Sequence, residues 1–504
     1  MVRQVFNNKI ILIIILISGV LISIKYMNTK KHTKEITIAF GSPWKTITPY
    51  LQHTAIGDMV ISNQFQSLVG YNETGEFVPL GAKSWEINDN FTVFKFIIDT
   101  SRTFSNGDNL TSYDYKKSWE HSLTTASKST NKSLLDILYK IKGFENFEKT
   151  GHISGIQTPD EKTLIIEFVS PYRMALEFLT GSRFSAYKIS ADKYIGTGLY
   201  DITEINDSNL LFVNKIDNSK ISVRYVTTDK LETEMLNGNI DIIHQAAFFN
   251  FSEDFFKNEK ITIDFSNESR HKIIMMNTKT GIFSKKNNRR ALQYLTTKYF
   301  YEKNLTENGS LIISPQYYVS FQKGRIEEKT ANEIIESYSV HVDEFMQDAK
   351  KQPLIIYENQ MSPIMDMFKW YNIPLSNKSK SIPPDKLFDA IYHPKEHDIL
   401  SASASVNSGD PDGLYHLLGE KGAIANPYSM NANISKALEK GREIIDTQQL
   451  DDYYKKVSLL LLDEVPVVHI GFGRSANIYR NDKVRLKSNL VRRNDGHLDV
   501  YEPK

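Results

Sequence analysis

Two stretches of the chain carry residue types whose spacing could support chemistry. The first, His393-Pro-Lys-Glu-His397, matches the H-x-x-E-H string in which two histidines on one helical face hold zinc. Proline at 394 is tolerated only at the start of a helix, and Asp398-Ile-Leu directly after it reads as a buried strand. The helix that zinc chemistry needs is therefore not predicted, and no metal is expected. The second stretch is Ser401–Leu418, SASASVNSGDPDGLYHLL. It is small and polar, turns at Gly409-Asp410-Pro411-Asp412-Gly413, and resumes a helical apolar spacing at Leu414, Leu417 and Leu418. Small side chains at a strand end let another backbone approach closely, and α/β domains bind ligands in the crevice at their strand ends. The same residues also suit a plain surface turn. There is no G-x-S-x-G, no Walker loop and no G-x-G-x-x-G, so neither a nucleophile elbow nor a phosphate-cradling loop is predicted and no cofactor is expected.

The elements that would position such a crevice need a large chain. At 504 residues two or three domains are expected. Lysine and arginine number 61 against 60 acidic residues, which gives no field for nucleic acid. With no cysteine, disulfides, thiolate metal sites, cysteine nucleophiles and a lipidated N-terminal cysteine are all excluded.

Ile10–Ile24 is the one long uncharged apolar run, preceded by Arg3 and Lys9 and closed by Lys25. It is short for a transmembrane span and suits the apolar core of an export signal. No small-x-small cleavage site follows, so an uncleaved export anchor is expected, placing the rest of the chain in a periplasmic or other extracytoplasmic space. Lys25, Lys30, Lys31 and Lys34 leave its orientation open.

Along the chain, Glu35–Phe40 alternates like a strand and Ile56–Leu68 has helical spacing. Hairpins are predicted around the Asp89-Asn90 turn and over Ile156–Phe168, with Thr111 or Ser112 capping the helix between them. Further helices are expected at Leu231–Leu236, Arg289–Tyr299, Met361–Tyr371 and Ser435–Leu462, the last broken at Thr447-Gln448. Strands are expected at Pro353–Tyr357 and Val465–Gly471. The basic residues Lys285, Lys286, Arg289 and Arg290 read as a solvated helix face. Strands in hairpin order give way to strands alternating with helices, which predicts a mixed α/β and α+β fold.

Leu68–Glu86, Phe104–Asp114, Gly196-Thr-Gly-Leu-Tyr, Leu236–Ile242, Met276-Asn-Thr, Asn288-Arg-Arg-Ala-Leu, Asp410-Pro-Asp and Pro466–Ile470 occur in the order seen in one family. From about residue 35 to 485 the chain resembles the extracellular solute-binding proteins of family 5, the oligopeptide and dipeptide receptors of ABC importers. The resemblance implies a periplasmic-binding-protein-like fold of class II, three lobes around an enclosed cleft with a hinge, preceded here by the N-terminal apolar helix. Residues 35–50, 190–270 and 470–504 would form lobe I, 51–189 lobe II and 271–469 lobe III. It implies a monomeric, non-enzymatic receptor that hands a peptide or peptide-like solute to ABC permease subunits. A sensor or scaffold of the same fold, or a binder of an oligosaccharide or metal chelate, is the alternative.

The resemblance further places His53, Thr54 and Ala55 along one side of the ligand and Ser403, Ala404, Ser405, Val406 and Asn407 along the other. Peptide receptors of the family carry an aspartate four residues before the proline, holding the peptide's α-amino group; this chain has Asn407. Where Gly-Trp usually precedes it, this chain has Ser403-Ala404. Asparagine supplies no counter-charge for a buried ammonium. Asp410 is a candidate substitute, with capping of the turn as its other reading.

Overall fold

The computed structural model describes residues 35–44, 46–51, 55–71, 76–125, 137–246, 251–306, 309–359, 364–383, 386–392, 394–405, 409–420, 422, 431–486 and 501–504. The apolar segment Ile10–Ile24, and with it the expected export anchor, lies outside them. Among the described residues no helix is long and apolar enough to cross a membrane.

Ile36–Phe40 is buried almost throughout, as a strand covered on both faces must be, and it pairs in parallel with Lys220–Tyr225 and Ile242–Ala246. These belong to a mixed sheet of eleven strands. Across it run Tyr200–Ile205, Asn209–Asn214, Lys220–Tyr225, Ile36–Phe40, Ile242–Ala246, Val467–Arg480, Ile261–Met276, Ile399–Ser405, Ile356–Asn359 and Lys380–Ile382. Leu311–Ile313 pairs beside Val467–Arg480. A second, four-stranded antiparallel sheet holds Ala82–Ile87, Val93–Ile98, Thr163–Glu167 and Ile156–Asp160. Val93–Ile98 alternates strictly and buries Phe94, Phe96 and Ile98 against Tyr115 and Trp119 of the helix Ser112–Thr125. Asp114 in the first turn of that helix accepts from Thr111 through both its amide (2.8 Å) and its hydroxyl (2.7 Å), which fixes the helix start as expected.

The apolar side chains gather into separate cores. One forms around Ile36, Phe40, Phe212 and Val223 and takes in Val60, Ile61 and Phe65 from the helix Ala55–Ile61 and its exit. A second draws on residues between Leu68 and Ala186, and the largest on residues between Ile273 and Ile470. Two long antiparallel strands join the first region to the largest core. Ile261–Met276 places Ile263 and Phe265 in a small core with Phe255 and Ile478, and Ile273 to Met276 in the largest. Val467–Arg480 runs back the same way, with Val467, Val468 and Ile470 at one end and Ala476 and Ile478 at the other. Between those ends the pairing slips at Phe265/Glu268, Glu268/Arg270 and Lys272/Ile273. Bulges of this kind bend strands locally and interrupt the ladder.

The Gly196-Thr-Gly turn is explained by close approach. The amide of Gly198 donates to the Gln64 carbonyl at 2.8 Å, and that of Tyr200 to the Asn63 carbonyl at 3.1 Å. A Cβ on Gly198 would lie 2.2 Å from the Asn63 oxygen. Gly198→Ala is therefore expected to lower the unfolding free energy by about 2–3 kcal/mol in urea titrations; a change within error would show that this backbone contact yields easily.

Two expectations are corrected here. The break in the C-terminal helical region falls at residues 442–446, not at Thr447-Gln448, because Asp446 caps the second helix, Thr447–Glu464, by accepting from the Gln449 amide at 2.8 Å. Of the basic cluster Lys285 is exposed as expected, but the rest is not a solvated face. Arg289 is buried and donates to the carbonyls of Phe283, Glu464 and Val465, while Lys286 and Arg290 pair with Asp463. The end of Thr447–Glu464 presents unpaired carbonyls, and the Arg289 and Arg290 guanidinium groups satisfy those of Glu464 and Asp463, while the Lys286 ammonium meets the Asp463 and Glu464 carboxylates.

Candidate functional site

Ile399–Ser405 pairs antiparallel with the long strand Ile261–Met276, setting Ser403 opposite Lys272, Ala404 opposite His271 and Ser405 opposite Arg270. Ser401, Ala402 and Ala404 are buried and Ser403 is half-buried, so the small residues lie in a crowded strand and not in an open loop. Val406, Asn407, His53 and Thr54 lie outside the described residues. Ala55 opens the helix Ala55–Ile61. The structure thus places Ser403, Ala404 and Ser405 on one strand beside Arg270, with Asp410 five residues beyond Ser405 at the start of a short 3-10 turn.

Asp410 has a double role. Its Oδ1 accepts from the Asp412 amide at 2.9 Å and caps the turn Pro411–Leu414. Its two oxygens also receive Arg173 from the second core, Nε to Oδ2 at 2.6 Å and Nη2 to Oδ1 at 2.9 Å. Arg173 donates as well to the carbonyls of Gly441 and Ile444. A carboxylate held in two-pronged contact by a guanidinium is already matched in charge, which argues against Asp410 as the anchor for a ligand ammonium.

Around that pair lies a second layer joining the same two cores. Asp412 and Arg442 are 0% and 3% exposed, with Arg442 Nε 3.0 Å from Asp412 Oδ1. Burial pushes the Asp412 carboxyl up, against the pull of the Arg442 guanidinium. Arg442 lies 4.0 Å over the Tyr415 ring and reaches the Tyr172 hydroxyl at 3.3 Å. Lys140 meets Glu439 at 3.2 Å; burial, then the Arg442 charge, lower its pKa. On the near side Gln322 donates to the Asp410 carbonyl at 3.1 Å, and Glu268 of the long strand accepts from Ser320. The sequence reading missed Arg173, Lys140, Glu439 and Arg442, since nothing local pairs residues 237 positions apart, as Arg173 and Asp410 are.

His397 of the H-x-x-E-H string is stacked on Tyr357, with ring centroids 4.9 Å apart, and Pro394–Glu396 is a 3-10 turn. Position 393 lies outside the described residues. Among the described residues no group of three or more histidine, aspartate or glutamate side chains is placed to hold a metal ion.

Residues 76–326 match the family model described as bacterial extracellular solute-binding proteins, family 5 Middle. A Haemophilus influenzae chain named only as a binding protein is 23% identical over 205 residues, 39% of each sequence. The match therefore spans about two fifths of that curated relative. The DppA periplasmic binding protein of Helicobacter pylori, solved in complex with the peptide STSA, superposes with a TM-score of 0.76 at 17% identity, covering 94% of this chain and 99% of that one. Campylobacter jejuni NikZ, solved with Ni(L-His), gives 0.72 at 15% identity over 93% and 99%. The matched segment, the order of the motifs and the shared fold together place this chain among the bacterial extracellular solute-binding proteins of family 5.

Proposed function

We propose that the chain is the solute-capturing component of an ABC importer, taking a peptide or peptide-like solute by closure of a cleft and handing it to permease subunits without catalysis. The observation that carries this reading is the way the second and third cores meet. Among the described residues they touch through Arg173–Asp410, Lys140–Glu439, Arg442–Tyr172 and the Phe178–His416 ring contact, a largely polar seam and not a shared apolar core. The first and third are joined by two long strands whose pairing slips midway. Polar seams separate at low cost, and strands with an interrupted ladder absorb a hinge rotation.

In this reading residues 35–50, 190–270 and 470–504 form the first lobe, with the helix Ala55–Ile61 joined to it because Val60 and Ile61 pack there. The second lobe then runs from about residue 66 to 189 and the third from 271 to 469. The solute lies along Ser403–Asn407, His53 and Thr54 contribute from the facing side, and the N-terminal segment keeps the monomeric receptor at the outer face of the cytoplasmic membrane. A metal chelate or another non-peptide solute is the second reading, favoured by Asn407 in place of the family's aspartate and by the Ni(L-His) bound to NikZ.

Thermal-shift and calorimetric titration of the full chain with short peptides, oligosaccharides and metal chelates tests the reading. Stabilisation by peptides supports it, stabilisation by a chelate alone selects the second reading, and silence towards all three removes both. The seam makes its own prediction. Arg173→Gln should weaken solute binding about tenfold, mainly through faster release, while the melting temperature without solute stays within about 2 °C. Unchanged affinity and release would detach the seam from capture.

A further inference from the structure

Arg270 stands on the long strand opposite Ser405 on one side and Gly473 on the other. Among the described residues its guanidinium makes no hydrogen bond, ion pair or ring contact. The carboxylate two residues earlier on the same strand is engaged elsewhere: Glu268 accepts from the amide and hydroxyl of Ser320. Lys272, two residues later, adds a second cation on the same face. A Cβ on Gly473 would come 3.6 Å from the Arg270 Cβ and 3.5 Å from the Lys272 Cε, so the two stems pass over a position with no side chain of its own. Burial alone brings the Arg270 guanidinium down to about 10, with no charged neighbour contributing. A half-buried cation without a counter-ion destabilises a fold unless something else supplies the charge.

We propose that Arg270 receives a carboxylate of the solute, and that recognition in this chain is by the solute's negative end instead of its amino end. The proposal rests on the solute-receptor reading above and narrows it. The strand bearing Arg270 is paired with the strand leading to Asn407, the position that lacks the family's ammonium-binding charge. The planar fork of arginine suits a carboxylate presented end-on. A solute with a blocked or absent α-amine and a free carboxylate fits both features.

The test uses the full chain and its Arg270→Gln and Arg270→Lys variants. The probes are peptides of two to five residues with free ends, N-acetylated or C-amidated, together with succinate and inorganic phosphate. N-acetylation should leave affinity within about threefold, whereas C-amidation should weaken it about 30-fold. Arg270→Gln should weaken the free-carboxylate forms by the same factor, leave the amides unchanged, and raise the melting temperature without solute by about 1–3 °C. Arg270→Lys should restore part of the affinity. Equal binding of acids and amides, or an Arg270→Gln variant that melts lower and loses both alike, overturns the proposal. An Arg270-dependent response to succinate with none to any peptide keeps the carboxylate site and removes the peptide reading. A response to phosphate alone replaces carboxylate by phosphate and overturns the proposal as stated, as does silence towards every anion.

Discussion

Arg442→Met is expected to lose about 3–5 kcal/mol of folding stability, because it leaves the Asp412 carboxylate buried with no partner. Asp412 is 0% exposed and Arg442 3% exposed, so water cannot take over from either. The Coulomb attraction between them offsets a desolvation cost that each bears alone once the other is gone. Asp412→Ala should cost a comparable amount. The double variant Asp412→Leu with Arg442→Met should recover most of the loss, since removing both charges also removes the penalty. Urea unfolding of the three variants gives the cycle directly. Single losses below about 1 kcal/mol would mean that water reaches the pair and that it contributes little.

The second large effect is a loss of stability in mild acid. His244, His271, His397 and His469 are all buried. Burial lowers His244 to about 3, His397 and His469 to about 4, and His271 well below its ordinary 6.5. His271 and His469 face each other with Nδ1 to Nε2 at 3.1 Å, and His469 Nδ1 lies 2.9 Å from the Ser314 carbonyl. That carbonyl only accepts, so His469 carries its proton on Nδ1 and receives the His271 Nδ1–H at Nε2. His469 cannot gain a proton at Nε2 without losing the bond from His271, and a charge on His271 would face the buried His469 ring.

The folded state therefore binds fewer protons than the unfolded chain below pH 6.5. Stability is full above that value and falls as the pH drops towards 4, by on the order of 3 kcal/mol for each of His244, His397 and His469, with His271 acting in the same direction. Glu358, raised to about 7 by burial, acts with the opposite sign between pH 7 and 4.5 and offsets part of this. Melting temperatures recorded from pH 7.5 to 4.5 should fall steeply in the intact chain and less steeply in His469→Gln. Parallel slopes would show that the His469 ring already takes up its proton in the folded protein.

Much of the framework was legible in the sequence because it is written in local patterns. Val93–Ile98 alternates and became an alternating strand, and Leu231–Leu236 followed by Asn237-Gly became a helix and its stop. The double reading of Asp410, cap or anchor, was resolved by a residue far away, since only the fold brings Arg173 to it. Lys286, Arg289 and Arg290 misled for a related reason. A basic run looks the same whether it faces water or the carbonyl end of Thr447–Glu464, and only the packing distinguishes the two. Arg270 gave no signal at all. A lone arginine in a strand becomes informative once its neighbours are seen to be engaged elsewhere.

The proposed closure of the second and third lobes on a solute is directly measurable. Because the chain has no cysteine, the pair Lys149→Cys and Lys436→Cys, both exposed and on opposite sides of the seam, can be spin-labelled without background. Pulsed electron resonance on this doubly labelled full chain gives the distance distribution with and without the peptide series. A broad or two-peaked distribution is expected that collapses onto its short-distance component as a stabilising solute is added, and that stays broad in Arg173→Gln at the same concentration. A single distance, unchanged by every solute that stabilises the chain, would contradict that closure.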